Sequence, residues 1–132
     1  MIHLDTSALI AALTGPRQAA PALRELLRDG ERLALSTVVL YEWWRGGRRP
    51  EELADQETFL PTTSAVSFGV REAEIAAGIY RRVKRPRQRE VDIAIAACAI
   101  ANGAALWTLN PRDFSDIPGL ELVAWAGLEP KT

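Results

Sequence analysis

The chain opens on Met1-Ile-His-Leu-Asp-Thr-Ser, an apolar run closed by a carboxylate, which predicts a strand at the N-terminus with Asp5 at its end. Thr6 or Ser7 stands where a cap belongs, and a short helix is expected over Ala8 to Leu13, stopped by Gly15-Pro16. Ala19, Ala22, Leu23, Leu26 and Leu27 recur at helical spacing and predict a second helix from about Arg17 to Asp29, with Gly30 beyond it. Leu33-Ala-Leu reads as a short buried strand. Ser36 is then an N-cap candidate for a helix over Thr37 to Arg45, although Thr37-Val38-Val39 also suits a continued strand.

Gly46-Gly47 and Pro50 break the chain before a helix expected over Glu51 to Phe59, and Pro61 to Ser64 is a loop or short strand. A long helix is predicted over Ser67 to Arg85, with Val70, Ala73, Ala77, Tyr80 and Val83 on one face and Pro86 at its end. Glu90 to Ala101 is a strongly apolar helix closed by Asn102-Gly103. Ala105 to Thr108 is a strand, Asn110 to Phe114 a turn or short helix, and Leu120 to Ala124 a final strand. With no repeat, linker or low-complexity stretch, the 132 residues read as a single domain. Short apolar strands alternating with helices give an α/β class: a mostly parallel sheet covered on both faces. Ligand sites in such sheets gather at the carboxyl ends of the strands.

Three acids fall where that rule wants them: Asp5 after the first strand, Glu42 in the helix after the second, and Asp113 after the strand at Ala105 to Thr108. A fourth, Asp92, lies in the first turn of a helix otherwise uncharged from Ile93 to Ala101. Each acid alone has an ordinary role as well: Asp92 can complement a helix dipole, Glu42 can be solvated, Asp113 can cap a turn. Together they suit a hard divalent cation such as Mg²⁺ or Mn²⁺, which needs oxygen ligands, and one or two carboxylates plus water suffice.

Other chemistries are poorly served. The sequence has neither a G-x-G dinucleotide fingerprint nor a P-loop. The one histidine, His3, lies inside the first strand as a core residue, so a serine or cysteine triad lacks its base. The one cysteine, Cys98, sits on the apolar helix as another core residue and excludes an internal disulfide. A lone thiol without a signal peptide reads as cytoplasmic, and the longest apolar run is too short to span a membrane.

Overall charge is −1, from sixteen Lys and Arg against seventeen Asp and Glu, so the total advertises no polyanionic partner. The distribution does. Arg81, Arg82, Lys84, Arg85, Arg87 and Arg89 crowd one stretch without an acid, and Arg45, Arg48 and Arg49 follow Trp43-Trp44. Basic groups beside aromatics are what phosphate neutralisation and base stacking require. Arg85, Arg87 and Arg89 are the candidates to grip the phosphates of a polyanion. Leu40, Trp43 and Trp44 carry enough apolar area to predict a protein interface on the helix they share, the competing reading being that both tryptophans sit in the core or a dimer contact.

Taken together these residues resemble the PIN-domain ribonucleases, specifically the VapC-type toxins of bacterial and archaeal toxin–antitoxin pairs. The likeness runs through Ile2-His-Leu-Asp5-Thr-Ser-Ala-Leu-Ile, Leu35-Ser-Thr-Val-Val-Leu-Tyr-Glu42, Asp92-Ile-Ala-Ile-Ala-Ala-Cys-Ala and Leu106-Trp-Thr-Leu-Asn110-Pro-Arg-Asp113-Phe. It implies a PIN-like three-layer sandwich around a parallel sheet of four or five strands, and a helix rather than a strand at Thr37. It also implies Mg²⁺- or Mn²⁺-dependent hydrolysis of RNA, a homodimer, and a cognate antitoxin that blocks the site. By the same resemblance Asp5 and Asp92 are the principal metal ligands and Glu42 the third acid. Thr6 and Thr108 are the supporting hydroxyls. At the fourth position this chain has Asn110 where many PIN domains carry an acid, with Asp113 as the alternative, directly or through water. The competing reading is a catalytically silent PIN-like module that binds RNA or protein, and the retained acids argue against it.

Overall fold

Ile2, His3 and Leu4 are all buried, because a central parallel strand has helices against both faces and no side chain can turn to water. The structure is a computed structural model and describes residues 1–123. Strand β1 (Ile2–Leu4) lies between β2 (Leu33–Ala34) and β3 (Ala105–Trp107), parallel to both, with Ile2 opposite Leu33 on one side and Ala105 on the other. Single parallel bridges continue the pairing outward, Ser36 to Val66 beyond β2 and Leu106 to Leu122 beyond β3. Three regular strands with one bridged row on either side make up the sheet of four or five strands expected, its outer positions pairing at one bridge each. Of the expected last strand, Leu122 makes that bridge, and Ala124 lies outside the described residues.

The helices are α1 (Thr6–Leu13), α2 (Ala20–Arg28), α3 (Thr37–Arg45), α4 (Pro50–Phe59), α5 (Val70–Arg82) and α6 (Glu90–Ala101). Their flanking arrangement is the α/β architecture the hydrophobic pattern predicts. The segment at Thr37 is a helix: the Ser36 hydroxyl accepts from the Val39 amide at 3.2 Å and caps it. Helix α1 starts earlier than expected, at Thr6. Asp5 stands at the N-cap position without a capping hydrogen bond, and the two hydroxyls expected as caps are used elsewhere.

Helix α5 corrects two expectations. It is shorter at both ends, since Arg85 is in the left-handed region at φ 55° and the chain has left the helix before Pro86. Its buried face is also a different one. Ile79 and Val83 are buried and Ile75 and Ala76 pack beside them, while Val70 is 88% exposed and Ala73, Ala77 and Tyr80 lie outside. Helix α6 is buried almost all round, with Ile93 and Ile95 to Ala99 in the core. Its alanines let neighbouring backbones approach closely, which is how a helix with two acids in its first turn, Glu90 and Asp92, reaches the middle of the molecule.

Candidate active site

Asp5 follows β1, and its amide donates to the Trp107 carbonyl at 2.8 Å, so the sheet's own pairing sets where the side chain begins. The residue is 5% exposed. Both hydrogen bonds to its carboxylate fall on Oδ2, from Thr108 Oγ1 at 2.7 Å and Ser7 Oγ at 2.9 Å. Each hydroxyl is oriented in turn by a backbone amide: Leu109 donates to Ser7 Oγ at 3.0 Å, and Asn110 to Thr108 Oγ1 at 3.0 Å. Two short relays thus converge on one oxygen and strengthen one another. Oδ1 is left unengaged among the described residues.

Glu42 reaches the same region from α3. Thr6 Oγ1 donates to its Oε1 at 2.6 Å, and Arg45 reaches its Oε2 at 3.2 Å. Asp92 comes from the first turn of α6 and Asp113 from the end of a short 3-10 turn, Pro111–Asp113, after β3. The charges feel one another. Burial pushes the Asp92 carboxyl up to about 6, and Asp5, Asp113 and Glu42 push it in the same direction, against a smaller opposing pull from Arg89. Asp5, Asp113 and Glu42 thus lie within electrostatic reach of Asp92, each acid delivered by a different segment.

Other candidates are placed differently. Asn110 is exposed and joins the network through its backbone amide. Arg85 and Arg87 are exposed. Arg89 is folded back on the protein, in an ion pair with Asp116 at 2.6 Å. Leu40 and Trp43 are buried, at 3% and 0% exposure, which corrects the expectation that they form an open interface. Trp43 is core, with Arg48 stacked over its ring at 4.3 Å. Trp44 and Tyr41 are the exposed pair, at 52% and 59%. His3 and Cys98 are buried, as expected of core residues. Sequence reasoning treats Ser7 only as a capping candidate and misses its hold on Asp5. The signal available is a hydroxyl two residues beyond the acid.

The donor set is all oxygen and strongly anionic, which fits a hard divalent cation rather than a soft one. Among the described residues no three acidic, histidine or cysteine side chains converge to enclose an ion directly. That arrangement suits an ion held by two carboxylates at most, with water filling the remaining positions.

Residues 2–120 match the PIN domain family. Ribonuclease VapC19 of Mycobacterium tuberculosis is 37% identical over 123 residues, covering 89% of this chain and 95% of that protein. Among solved structures, VapBC2 from Rickettsia felis bound to a DNA fragment of its promoter superposes with a TM-score of 0.71 at 23% identity, over 95% of this chain and 99% of that one. A toxin–antitoxin complex from Klebsiella pneumoniae gives 0.69 at 22% identity, over 98% and 99%. At these identities the two solved structures speak for the fold.

Proposed function

The chain belongs to the PIN domain family, and from that premise we propose that it is an Mg²⁺- or Mn²⁺-dependent endoribonuclease, the toxin of a toxin–antitoxin pair. The observation that carries the reading is the electrostatic coupling at this end of the sheet, where Asp5, Asp113 and Glu42 all push the Asp92 carboxyl upward. Such repulsion is costly to fold around and is relieved by a cation.

In this reading Asp5 and Asp92 would be the principal residues holding the ion, with Glu42 and Asp113 in secondary roles. A divalent cation there lowers the pKa of water and stabilises the charge that develops on a phosphoryl group. The protein's own part is orientation. Ser7 and Thr108 fix Asp5 through Oδ2 and leave Oδ1 for the ion, and Thr6 fixes Glu42. The exposed Arg85 and Arg87 supply phosphate contacts beside the site.

The partner is a cognate antitoxin. The complexes that share this fold, and the exposed Tyr41 and Trp44 flanking Glu42 on α3, support that assignment. A homodimer belongs to the same reading, and the apolar stripe of Val70, Ala73, Ala77 and Tyr80 on the outside of α5 is in keeping with it.

Asp5→Asn and Asp92→Asn test the site. Each is expected to lower RNA cleavage at least 100-fold with the fold retained, and EDTA to stop the wild-type reaction until Mn²⁺ or Mg²⁺ is returned. Cleavage at the wild-type rate in either variant, or in excess EDTA, overturns the reading.

A further inference from the structure

Arg89 belongs by sequence to the basic stretch expected to grip RNA, yet its guanidinium is already occupied. Nη1 donates to the Lys84 carbonyl at 3.1 Å and to Asp116 Oδ2 at 3.0 Å. Nη2 donates to the Asp113 carbonyl at 3.1 Å and to Asp116 Oδ1 at 2.6 Å. This is the two-pronged pairing for which the guanidinium fork is suited, with a backbone carbonyl added on each prong. Its side chain is 21% exposed, far less than Arg45 or Arg49 in their surface pairs.

The three segments that meet at this fork matter more than the pair itself. Arg89 is the N-cap residue of α6, and the Ile93 amide donates to its carbonyl at 2.8 Å. It thus rides on the turn that carries Asp92. Lys84 lies near the start of the connector that leaves α5, and Asp113 and Asp116 belong to the turn after β3. That turn is otherwise held by its own backbone bonds, Asp113 to the Asn110 carbonyl at 3.0 Å and Phe114 to the Pro111 carbonyl at 3.1 Å, and by two buried side chains, Phe114 and Ile117, at 1% and 4% exposure. Those contacts are local to the turn, and the direct bond from Arg89 to the Asp113 carbonyl is what ties it to the start of α6.

We propose that Arg89 is a positioning residue that works through Asp116, clasping the turn that carries Asp113 to the helix start that carries Asp92. The inference rests on the site proposed above. It assigns Arg89 to the assembly of that site rather than to the RNA, and it gives Asp116, an acid outside the cluster, a function. Without the clasp the turn opens, and the site loses the acid that reaches it from this side. Displacements of about 1 Å around a reacting centre are enough to cost on the order of 100-fold in rate.

The test is a cycle of Arg89→Ala, Asp116→Ala and the double variant, with Arg89→Lys beside them. Thermal melting and hydrogen exchange at the Asp113 and Phe114 amides are read on the full chain without RNA. Cleavage and binding of a labelled single-stranded RNA are read with Mn²⁺. Each single variant is expected to speed exchange at both amides and to lower kcat roughly 10- to 100-fold with KM little changed. The double variant should be no worse than either single one, since both remove the same clasp. Arg89→Lys should fail to rescue, because a point charge cannot span Asp116 and two carbonyls. The slope of RNA affinity against salt should match the wild type in all of them.

A phosphate-gripping Arg89 gives the opposite pattern: Arg89→Ala flattens the salt slope, Asp116→Ala keeps kcat, and Lys restores binding. That pattern overturns the proposal, as does additivity of the two single variants in melting. If Asp5→Asn cleaves as well as the wild type, the site reading fails by itself. Amide exchange and thermal coupling then still decide whether the clasp exists. Full kcat in Asp116→Ala, with Asp5→Asn inactive, defeats the clasp alone.

Discussion

Asp92 titrates near pH 6 in the folded chain, against an ordinary value of 3.8, because burial and then the charges of Asp5, Asp113 and Glu42 disfavour its ionised form. Between those values the folded chain binds a proton that the unfolded chain has lost, so this group makes stability fall as pH rises from about 4 to 6. His3 acts in the opposite sense. Burial, with a smaller push from the N-terminal charge, lowers it from 6.5 to about 4, so across that window the unfolded chain binds the extra proton and stability rises with pH. The two slopes oppose each other in the wild type. Asp92→Asn is expected to unmask the histidine, giving stability that climbs with pH from 4 to 6.5, and at pH 7 a melting temperature higher by roughly 2–5 °C, for a relief of ~1 kcal/mol discounted for the partial exposure of Asp92. Thermal melts across that range check both, and a pH profile parallel to the wild type would refute the coupling. Saturating Mn²⁺ should raise the melting temperature of the wild type and leave that of Asp92→Asn unchanged. The four acids stand out in the sequence because they follow strands or start helices, positions with geometric meaning in a parallel sheet. The hold of Ser7 on Asp5 does not, because a hydroxyl's partner is chosen by the neighbouring strand, here through Leu109 and Thr108.

Successive residues on a helix point about 100° apart, so the two adjacent tryptophans of α3 leave the helix in different directions. Trp43 shares the inner face with Val39 and Leu40, four and three positions back, whereas Trp44 shares the outer face with Tyr41. Reading the pair as one apolar patch merges two faces. The physical consequences separate them. Trp43→Ala empties a fully buried site and is expected to cost about 3–5 kcal/mol, a drop easily seen in thermal or urea melts. Trp44→Ala should stay within about 0.5 kcal/mol of the wild type yet lose co-purification with the antitoxin, since surface truncations rarely unfold a protein and tryptophans are common binding anchors. A Trp44→Ala chain that still co-purifies at wild-type yield would move the antitoxin contact off this face. The buried face of α5 escapes the sequence for a related reason. Its alanines fall on both sides, so the periodicity fits two phases, and the larger Ile75 and Ile79 decide the buried one. The Thr37 segment is open between helix and strand because β-branched residues suit both. The Ser36 cap, a local interaction, is what ends the ambiguity.

At the scale of the whole molecule a net charge of −1 conceals a division of labour. Acids collect at the carboxyl end of the sheet, and Arg81, Arg82, Lys84, Arg85 and Arg87 line the exposed stretch that leads into α6. The α/β class was readable because alternating short strands and helices leave few other architectures. The outer rows pair only at Val66 and Leu122, and one bridge leaves little trace in a hydrophobic pattern, so the sheet's full width came from the family resemblance rather than from the periodicity. The charge division was readable in part: the sequence shows which cations are crowded together but not which are already paired. Arg85 and Arg87 make no ion pair among the described residues, and they flank Pro86 where the chain is no longer helical. They are therefore free to release counterions when a phosphate approaches. Replacing both with Ala is expected to lower affinity for single-stranded RNA about 5- to 50-fold at moderate salt. The slope of log affinity against log salt should flatten by about 1.4, roughly 0.7 for each lost phosphate contact on a single strand. The melting temperature should hold, because neither side chain is part of the core. Fluorescence titrations at several salt concentrations measure the slope, with Asp5→Asn as the background so that the RNA is not consumed. A slope equal to that of the arginine-bearing chain would mean that these two side chains face something other than the RNA backbone.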